Sequence, residues 1–325
     1  MAESLDRKLV VAVASSALFD LTEADATFRE SGVDDYRAYQ RGRERVTLGP
    51  GSAFPLVRRL LDVNRAFDNG DSPVEVVLLS RNDPDSGLRI LNSIADHRLS
   101  ISRAIFVSGR SPYRYARALN SSLFLSTNLA DVREALACGV PAGRVCPTGF
   151  QDDATDEELR IAFDFDGVLA DDASEELYQS GGLDLFQQTE REHADEPLRA
   201  GPLARFCQHL SRLQQALARA GGGTSVQSLI RTAIVTSRGA PAHTRVGTTL
   251  RSWGIAVDEA FFLGGLPKSP ILAELKPHIF FDDQVQHIQS AADVSPCAHV
   301  PFGVVNRPVF TPTDEETTDR ASRAA

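Results

Sequence analysis

Residues 161–172 read IAFDFDGVLADD and set two carboxylates, Asp164 and Asp166, at the end of an apolar run of strand length. Charge at the end of a buried strand costs desolvation free energy unless a metal, a partner or a reaction compensates for it. An isolated D-x-D is more simply read as two solvated acids at a strand-to-loop junction. The rest of the chain supplies groups that change this reading. A second apolar run, HIFFDD, ends on Asp282 and Asp283; a third, RTAIVTS, ends on Thr236 and Ser237; Lys268 follows a Gly/Pro loop. With a phosphate ester as substrate, Asp164 is placed to attack phosphorus and form an aspartyl-phosphate. Asp166 can protonate the leaving alkoxide and then activate water. Acids repel one another and a dianionic phosphate, so the set calls for a cation. Asp164, Asp166, Asp282 and Asp283 offer hard oxygen ligands suited to Mg²⁺. Thr236 can donate a hydrogen bond to a phosphoryl oxygen, and Lys268 can offset negative charge during transfer. Gly167 removes side-chain bulk where the backbone must turn close to a ligand. Alone, Thr236 reads as packed or solvated and Lys268 as a surface charge. The ordered set reads as a metal-assisted phosphohydrolase.

These groups need a scaffold that brings strand ends together. RIAFDF, RTAIVTS, AFFLG and HIFFDD are short apolar runs of strand length. Between them Leu203, Phe206, Cys207, Leu210, Leu213 and Leu217 follow helical spacing, as do Val246, Leu250 and Trp253. Strands alternating with helices predict an α/β fold with a doubly wound parallel sheet, in which ligands bind beyond the carboxyl ends of the strands. The pattern is written twice. SGVDDYRAYQ (31–40) resembles GGLDLFQQTE (181–190), VVLLSRN (76–82) resembles AIVTSRG (233–239), and SSLFLSTN (121–128) lies on PHIFFDDQ (277–284). Similar blocks in one order at a nearly constant offset imply two related halves. The expected division is a first half over 1–150, an acidic linker around Gln151–Glu158, and a second half over 158–305. The polar tail 306–325 is expected to lack structure.

The bulk numbers narrow the class. The chain has 325 residues, 42% hydrophobic and 24% charged, as in a soluble globular protein. A net charge of −10 argues against nucleic acid or an anionic membrane as the main partner. Cys138, Cys146, Cys207 and Cys297 are scattered without a C-x-x-C pair, so neither a zinc site nor a disulfide framework is indicated. The apolar stretch near the N-terminus is too short for a membrane span and lacks a clean secretory pattern. A reduced, cytoplasmic protein is expected.

In its four ordered motifs, Asp164/Asp166, Thr236, Lys268 and Asp282/Asp283, the chain resembles the haloacid dehalogenase (HAD) superfamily. A closer resemblance, to the cytosolic 5′-nucleotidase I family, covers nearly the whole chain. It includes VASSALFD, YRAYQ, GPGSAFPLV, LLSRN, GRSP, AFDFDGVLADD, GPLARF, TSRGAPA, RSWGIAVDEAFFLGGLPKSPIL and KPHIFFDDQ. The resemblance implies a HAD-like sheet and Mg²⁺-dependent removal of the 5′-phosphate from nucleoside monophosphates, AMP-like or pyrimidine. Phe165 departs from it, standing where close relatives are expected to carry glycine, and is expected to alter the pocket's shape. The stretch from Asp171 to about Arg199 sits where HAD-like enzymes carry a cap that excludes water, so a cap is expected over about 171–199. In it Tyr178 and Phe186 could stack on a base, with Glu175 or Gln179 bonding its edge or the ribose. The simpler reading, which is preferred, packs both aromatics against the core. Ser237 and Arg238 could contact phosphate, or Arg238 could form a structural ion pair.

In the first half, Ala14 and Ser16 fall where Asp164 and Asp166 stand, Leu79 faces Thr236, Pro112 faces Lys268, and Ser126 and Thr127 face Asp282 and Asp283. That half is expected to be catalytically inert, a degenerate HAD-like copy serving as structural partner. Arg81, Ser108, Gly109, Arg110 and Ser126 keep a phosphate-friendly character, which leaves a nucleotide effector open, as it leaves a homo-oligomer open. The competing functions are a HAD phosphatase for another small phosphoester and a nucleotide-binding sensor with little turnover.

Overall fold

The computed structural model describes residues 5, 8–67, 72–220 and 229–307. From residue 308 onward the expected tail lies outside them. Among the described residues ten strands alternate with helices: β1 (Leu9–Ala14), β2 (Val74–Ser80), β3 (Arg103–Phe106), β4 (Leu123–Ser126), β5 (Ala142–Val145), β6 (Leu159–Phe163), β7 (Ile230–Thr236), β8 (Glu259–Phe262), β9 (Ile279–Asp282) and β10 (Cys297–His299). They form one sheet in the order β3-β2-β1-β4-β5-β10-β9-β6-β7-β8. Neighbours are parallel except β5 and β10, which run antiparallel. The doubly wound α/β architecture expected from the alternation is therefore present. The strand order on one side of β5 and β10 mirrors that on the other, with β6 standing where β1 stands. A pseudo-two-fold axis passes between β5 and β10.

Parallel strands covered on both faces need unbroken apolar runs. β1 (LVVAVA) and β6 (LRIAF) are buried along their whole length, and each fully buried Val, Leu or Phe side chain contributes roughly 1.5–3 kcal/mol. One hydrophobic cluster draws on both sides of the axis, with Val11, Leu60 and Leu125 alongside Ile161, Phe206 and Phe281. The helix Phe54–Val63 packs on β6 while the helix Ala204–Ala220 packs on β1, a reciprocal exchange across the axis.

The acidic segment 151–158 is pinned rather than loose. Asp152 pairs with Arg58 at 3.1 Å and with the buried Arg59 at 2.8 Å. Arg59 also donates to the carbonyls of Asp153 and Asp156 at 2.8 and 3.1 Å. These acids and carbonyls compensate a guanidinium that burial would otherwise penalise. The helices Thr22–Gly42 and Ala173–Glu192 occupy matching places after β1 and β6. Both are broken at a glycine with positive φ, Gly32 (85°) and Gly182 (71°). Order continues into the stretch expected to be a tail. Asn306 Nδ2 donates to Asp283 O at 2.9 Å and Arg307 to Glu176 at 2.7 Å. The four cysteines are free. Among the described residues no helix is long and apolar enough to cross a membrane.

Candidate active site

The β6–β9 register sets Phe163 opposite Phe281. Their rings stack with centroids 5.4 Å apart, and Phe206 meets each at 6.1 Å. This apolar block fixes the next residue on each strand, so Asp164 and Asp282 emerge side by side. The Asp164 N–H donates to Phe281 O at 2.8 Å. The chain then turns sharply: the Phe165 N–H donates to Asp164 Oδ1 at 2.7 Å, and Gly167 takes φ +71°. A Cβ at Gly167 would stand 2.4 Å from Asp283 Oδ2, so both backbone and space require glycine there.

Lys268 precedes the short helix Ser269–Leu275 and is 2% exposed. Its Nζ lies 2.8 Å from Asp164 Oδ2 and 2.7 Å from Asp282 Oδ2. Asp282 also accepts the Gln284 N–H at 2.8 Å and meets His287 Nδ1 at 3.0 Å. Asp164, Asp282 and Asp283 are all buried, and Lys268 pairs with the first two of these carboxylates. Burial, reinforced by Asp282 and opposed by Lys268, pushes Asp164 up to about 6. Burial together with the charges of Asp164 and Asp282 pushes Asp283 up to about 9. At Asp282 burial acts upward too, but Lys268 and His287 hold the carboxyl below its usual range. Burial lowers Lys268, and Asp164 and Asp282 overcome it to raise the ammonium's pKa.

Asp283 Oδ1 is buried with no hydrogen-bond partner among the described residues. An orphaned carboxylate oxygen beside further buried carboxylates is a setting that a hard divalent cation compensates. Asp164, Asp282 and His287 bring ligand atoms within 4.8 Å of one another. The donor set therefore fits a divalent metal ion.

Asp166 stands apart from this cluster. Both its oxygens are held by Arg238, Nε to Oδ2 and Nη2 to Oδ1, each at 2.7 Å. The same buried guanidinium donates to Ser174 Oγ at 2.6 Å and pairs with Glu190, which also accepts from Arg245 at 2.9 Å. Of the two readings for Arg238, the ion pair is the one formed, because the buried Glu190 carboxylate requires a cation. Burial lowers the Arg238 pKa, but Asp166 and Glu190 outweigh it and raise the guanidinium further. Thr236 is buried at the end of β7, and its Oγ1 accepts the Arg238 N–H at 3.2 Å. That leaves its hydroxyl hydrogen available to a ligand.

A cavity of about 660 Å³ opens here, lined by Asp166, Tyr178, Phe186, Ser237, Arg238 and His287 among others. Tyr178 is 49% exposed at its wall rather than packed on the core as preferred, because it lies on the solvent-facing side of the helix Ala173–Glu192, of whose residues only Ser174 and Glu190 are buried. Phe186 lines the cavity as well, its ring centroid 5.4 Å from the Arg238 guanidinium. Glu175 reaches the lining, whereas Gln179 turns back to Glu175 at 2.9 Å. The Phe165 side chain is in the core instead of the cavity wall, with the Arg238 guanidinium 5.3 Å from its ring centroid. His287, Glu190, Ser174 and Arg245 escaped the sequence reading. His287 had a signal, one turn into the helix that follows Asp282 and Asp283; the other three had none in residue type alone.

A family model described as 5′-nucleotidase matches residues 1–307. Human cytosolic 5′-nucleotidase 1B is 36% identical over 289 residues, covering 87% of this chain and 47% of that protein. The chain thus spans about half the length of the curated relative it matches. No solved structure matches it. With a matching model over nearly its whole length, and in agreement with the resemblance carried by its motifs, the chain belongs to the 5′-nucleotidase family of the HAD superfamily.

Proposed function

We propose that the protein is a Mg²⁺-dependent 5′-nucleotidase that converts nucleoside 5′-monophosphates, AMP-like or pyrimidine, to nucleoside and phosphate. The observation that carries this reading is the buried Asp164–Lys268–Asp282 cluster beside a cavity lined by Asp166, Arg238, Tyr178 and Phe186. A carboxylate oxygen of Asp164 attacks phosphorus and the P–O5′ bond breaks; Asp166, released from the Arg238 fork and protonated as the nucleotide enters, passes its proton to the departing O5′. Asp166 then takes a proton from water, whose oxygen attacks the aspartyl-phosphate and restores Asp164. Lys268 orients Asp164 and offsets charge as transfer proceeds, and the Thr236 hydroxyl donates to a phosphoryl oxygen. Ser237 and Arg238 flank the phosphate side, and Tyr178 and Phe186 face the base. Asp164, Asp282 and Asp283 would hold Mg²⁺, with Asp166 joining only on release by Arg238. When bound, the ion supplies neutralising charge to the phosphoryl group. The half over residues 1–150 has Ala14 where the nucleophile stands and is a non-catalytic copy within this reading. A cytoplasmic location belongs to the same proposal, supported by the relative's name.

The test is a phosphate-release panel across nucleoside 5′-monophosphates and sugar phosphates, with Mg²⁺ and with EDTA. Release from nucleotides that needs Mg²⁺ is expected. Preference for sugar phosphates would instead indicate a phosphatase of other small esters, and nucleotide binding without release a sensor.

A further inference from the structure

The first half holds a cavity of about 540 Å³ beyond the ends of β1, β2 and β4, in the place related by the pseudo-two-fold to the substrate cavity. Small-molecule sites have volumes of about 300–1,000 Å³. Its inner corner has no catalytic acid or lysine and is lined instead by Ala14, Ser16, Pro112, Ser126 and Thr127. Ser16 Oγ and Thr127 Oγ1 hydrogen-bond at 2.6 Å, and Ser15 and Ser80 at 2.9 Å.

The groups that looked ready for a phosphate are already engaged. Arg81 forks onto Asp131 at 2.8 and 2.5 Å and donates to Gly109 O at 2.8 Å. The Ser108 and Gly109 N–H groups donate to the carbonyls of Asn82 and Arg81 at 3.1 and 2.6 Å. Arg110 is exposed and outside the lining. Arg37 pairs with Asp83 at 3.0 Å. Among the charged lining residues, Asp25, Asp83 and Asp131 outnumber Arg37 and Arg81. An anion entering here meets no open cation among the described lining residues and an excess of acid.

What remains suits an uncharged ring bearing polar atoms. Phe28 is 51% exposed at the wall and meets Tyr36 edge-on at 5.9 Å. Asn82 accepts from the Tyr36 hydroxyl at 3.1 Å, while its Nδ2 is buried without a hydrogen-bond partner among the described residues. A buried amide donor left unpaired is costly, and a ligand acceptor would satisfy it.

We propose that this cavity binds an uncharged nucleoside without a metal ion, as a second site separate from the hydrolytic one. Phe28 stacks on the base, Asn82 donates to a ring or sugar acceptor, and the Ser16 and Thr127 hydroxyls meet the sugar. The choice of a nucleoside rests on reading the related cavity of the second half as a nucleotide site.

Calorimetric titration of the full chain with adenosine and cytidine in EDTA tests this, with the 5′-monophosphates as charged comparators. Saturable binding of at least one nucleoside is expected, weakened about tenfold or more by Phe28→Ala. The isosteric Asn82→Asp, which keeps the acceptor for Tyr36, should also weaken it by about tenfold. Tyr178→Ala should leave it intact, and the matching monophosphate should bind several-fold more weakly. Phe28 lies at the surface, so an unchanged thermal unfolding midpoint is the check that its variant folds. Three results overturn the proposal: no nucleoside binding, binding lost with Tyr178→Ala but kept with Phe28→Ala, or tighter binding of the monophosphate at the Phe28-dependent site. Phosphate release is read in parallel. An unmodified chain that binds nucleoside but releases no phosphate removes the hydrolytic reading alone, and normal turnover without Phe28-dependent binding removes this site alone.

Discussion

At the ends of β6 and β9 the protein buries three carboxylates, two of them paired with one ammonium; at the ends of β1 and β4 it buries the hydroxyl residues Ser15 and Ser126. The strands beneath are built alike. Val13 stands opposite Leu125 where Phe163 stands opposite Phe281, and both pairs belong to the same hydrophobic cluster. Beyond the last apolar pair the residues change from uncharged to acidic. The scaffold therefore has no need of charge at these positions, since Ala14 and Ser126 end their strands without the desolvation cost of a carboxylate. In the second half that cost is visible as an Asp283 carboxyl pushed up to about 9 by burial and its neighbours. Buried, mutually repelling acids retained on a scaffold that can do without them are a signature of catalysis rather than of folding.

The sharpest way to break this contrast is to remove the proposed nucleophile. Asp164→Asn should lower phosphate release by about 10⁴-fold or more while leaving thermal unfolding nearly unchanged. Residual release above about a hundredth would sink the assignment of Asp164. The reciprocal change should create no second catalytic site, because Pro112, Ser126 and Thr127 stand where the lysine and metal ligands would be. Ala14→Asp instead buries an unpaired charge, and denaturant unfolding should show a loss of about 3–5 kcal/mol.

A smaller effect is expected where the halves differ by one atom type. In the first half Gln40 accepts from Arg89 at 3.0 Å; at the matching place Glu190 accepts from Arg245 at 2.9 Å and also pairs with Arg238. Glu190→Gln gives the second half the first half's residue and frees Arg238 from one of its two carboxylates. We expect kcat/KM to fall about tenfold, with a stability loss of about 1–3 kcal/mol in urea unfolding. Gln40→Glu should leave turnover untouched. Unchanged kinetics in Glu190→Gln would mean that the link from Glu190 through Arg238 to Asp166 carries no catalytic weight.

The difference between the halves was legible in the chain at the level of residue types, because Asp164, Thr236, Lys268 and Asp282 each follow an apolar run or a Gly/Pro loop. How the halves meet was not legible. β5 (AGRV) and β10 (CAH) are short and carry no alternation or apolar run, so their pairing is decided by tertiary packing. Taken alone, Lys268 looked like a surface charge for a related reason: burial belongs to the fold, and a lysine in a Gly/Pro loop has the same local sequence whether or not it is covered. The Arg238–Glu190 pair joins residues far apart in sequence, and nothing local marks either as buried. The Asp166 position was readable, but its capture by Arg238 was not.

The smallest difference lies at the opposite ends of the same strands. His278 precedes β9 where Ser122 precedes β4; Ser122 hydrogen-bonds His209 at 2.6 Å. His278 is buried and its Nδ1 accepts the Arg160 N–H at 3.0 Å. Its Nε2 lies 4.0 and 3.9 Å from Asp152 and Asp156. Burial, together with the charges of Arg59, Arg160 and Arg58, outweighs the pull of Asp156 and pushes His278 down to about 3. An unfolded imidazole titrates near ~6.5. Between these values the unfolded chain holds a proton that the folded chain lacks. Stability from this group is therefore complete above about 6.5 and is lost as pH falls toward about 3, by up to ~1.4 kcal/mol per pH unit. His278→Ser, the first half's residue, removes the acceptor for Arg160 and should cost about 1 kcal/mol at pH 8. Between pH 6 and 4.5 its stability should then fall less steeply than the parent's, by about 1.4 kcal/mol per pH unit. Urea unfolding across that range reads the slope. Parallel slopes in the two proteins would mean that the folded imidazole accepts its proton, with Asp152 and Asp156 prevailing over Arg58, Arg59 and Arg160. The contrast between the halves would then be confined to the catalytic ends of the strands.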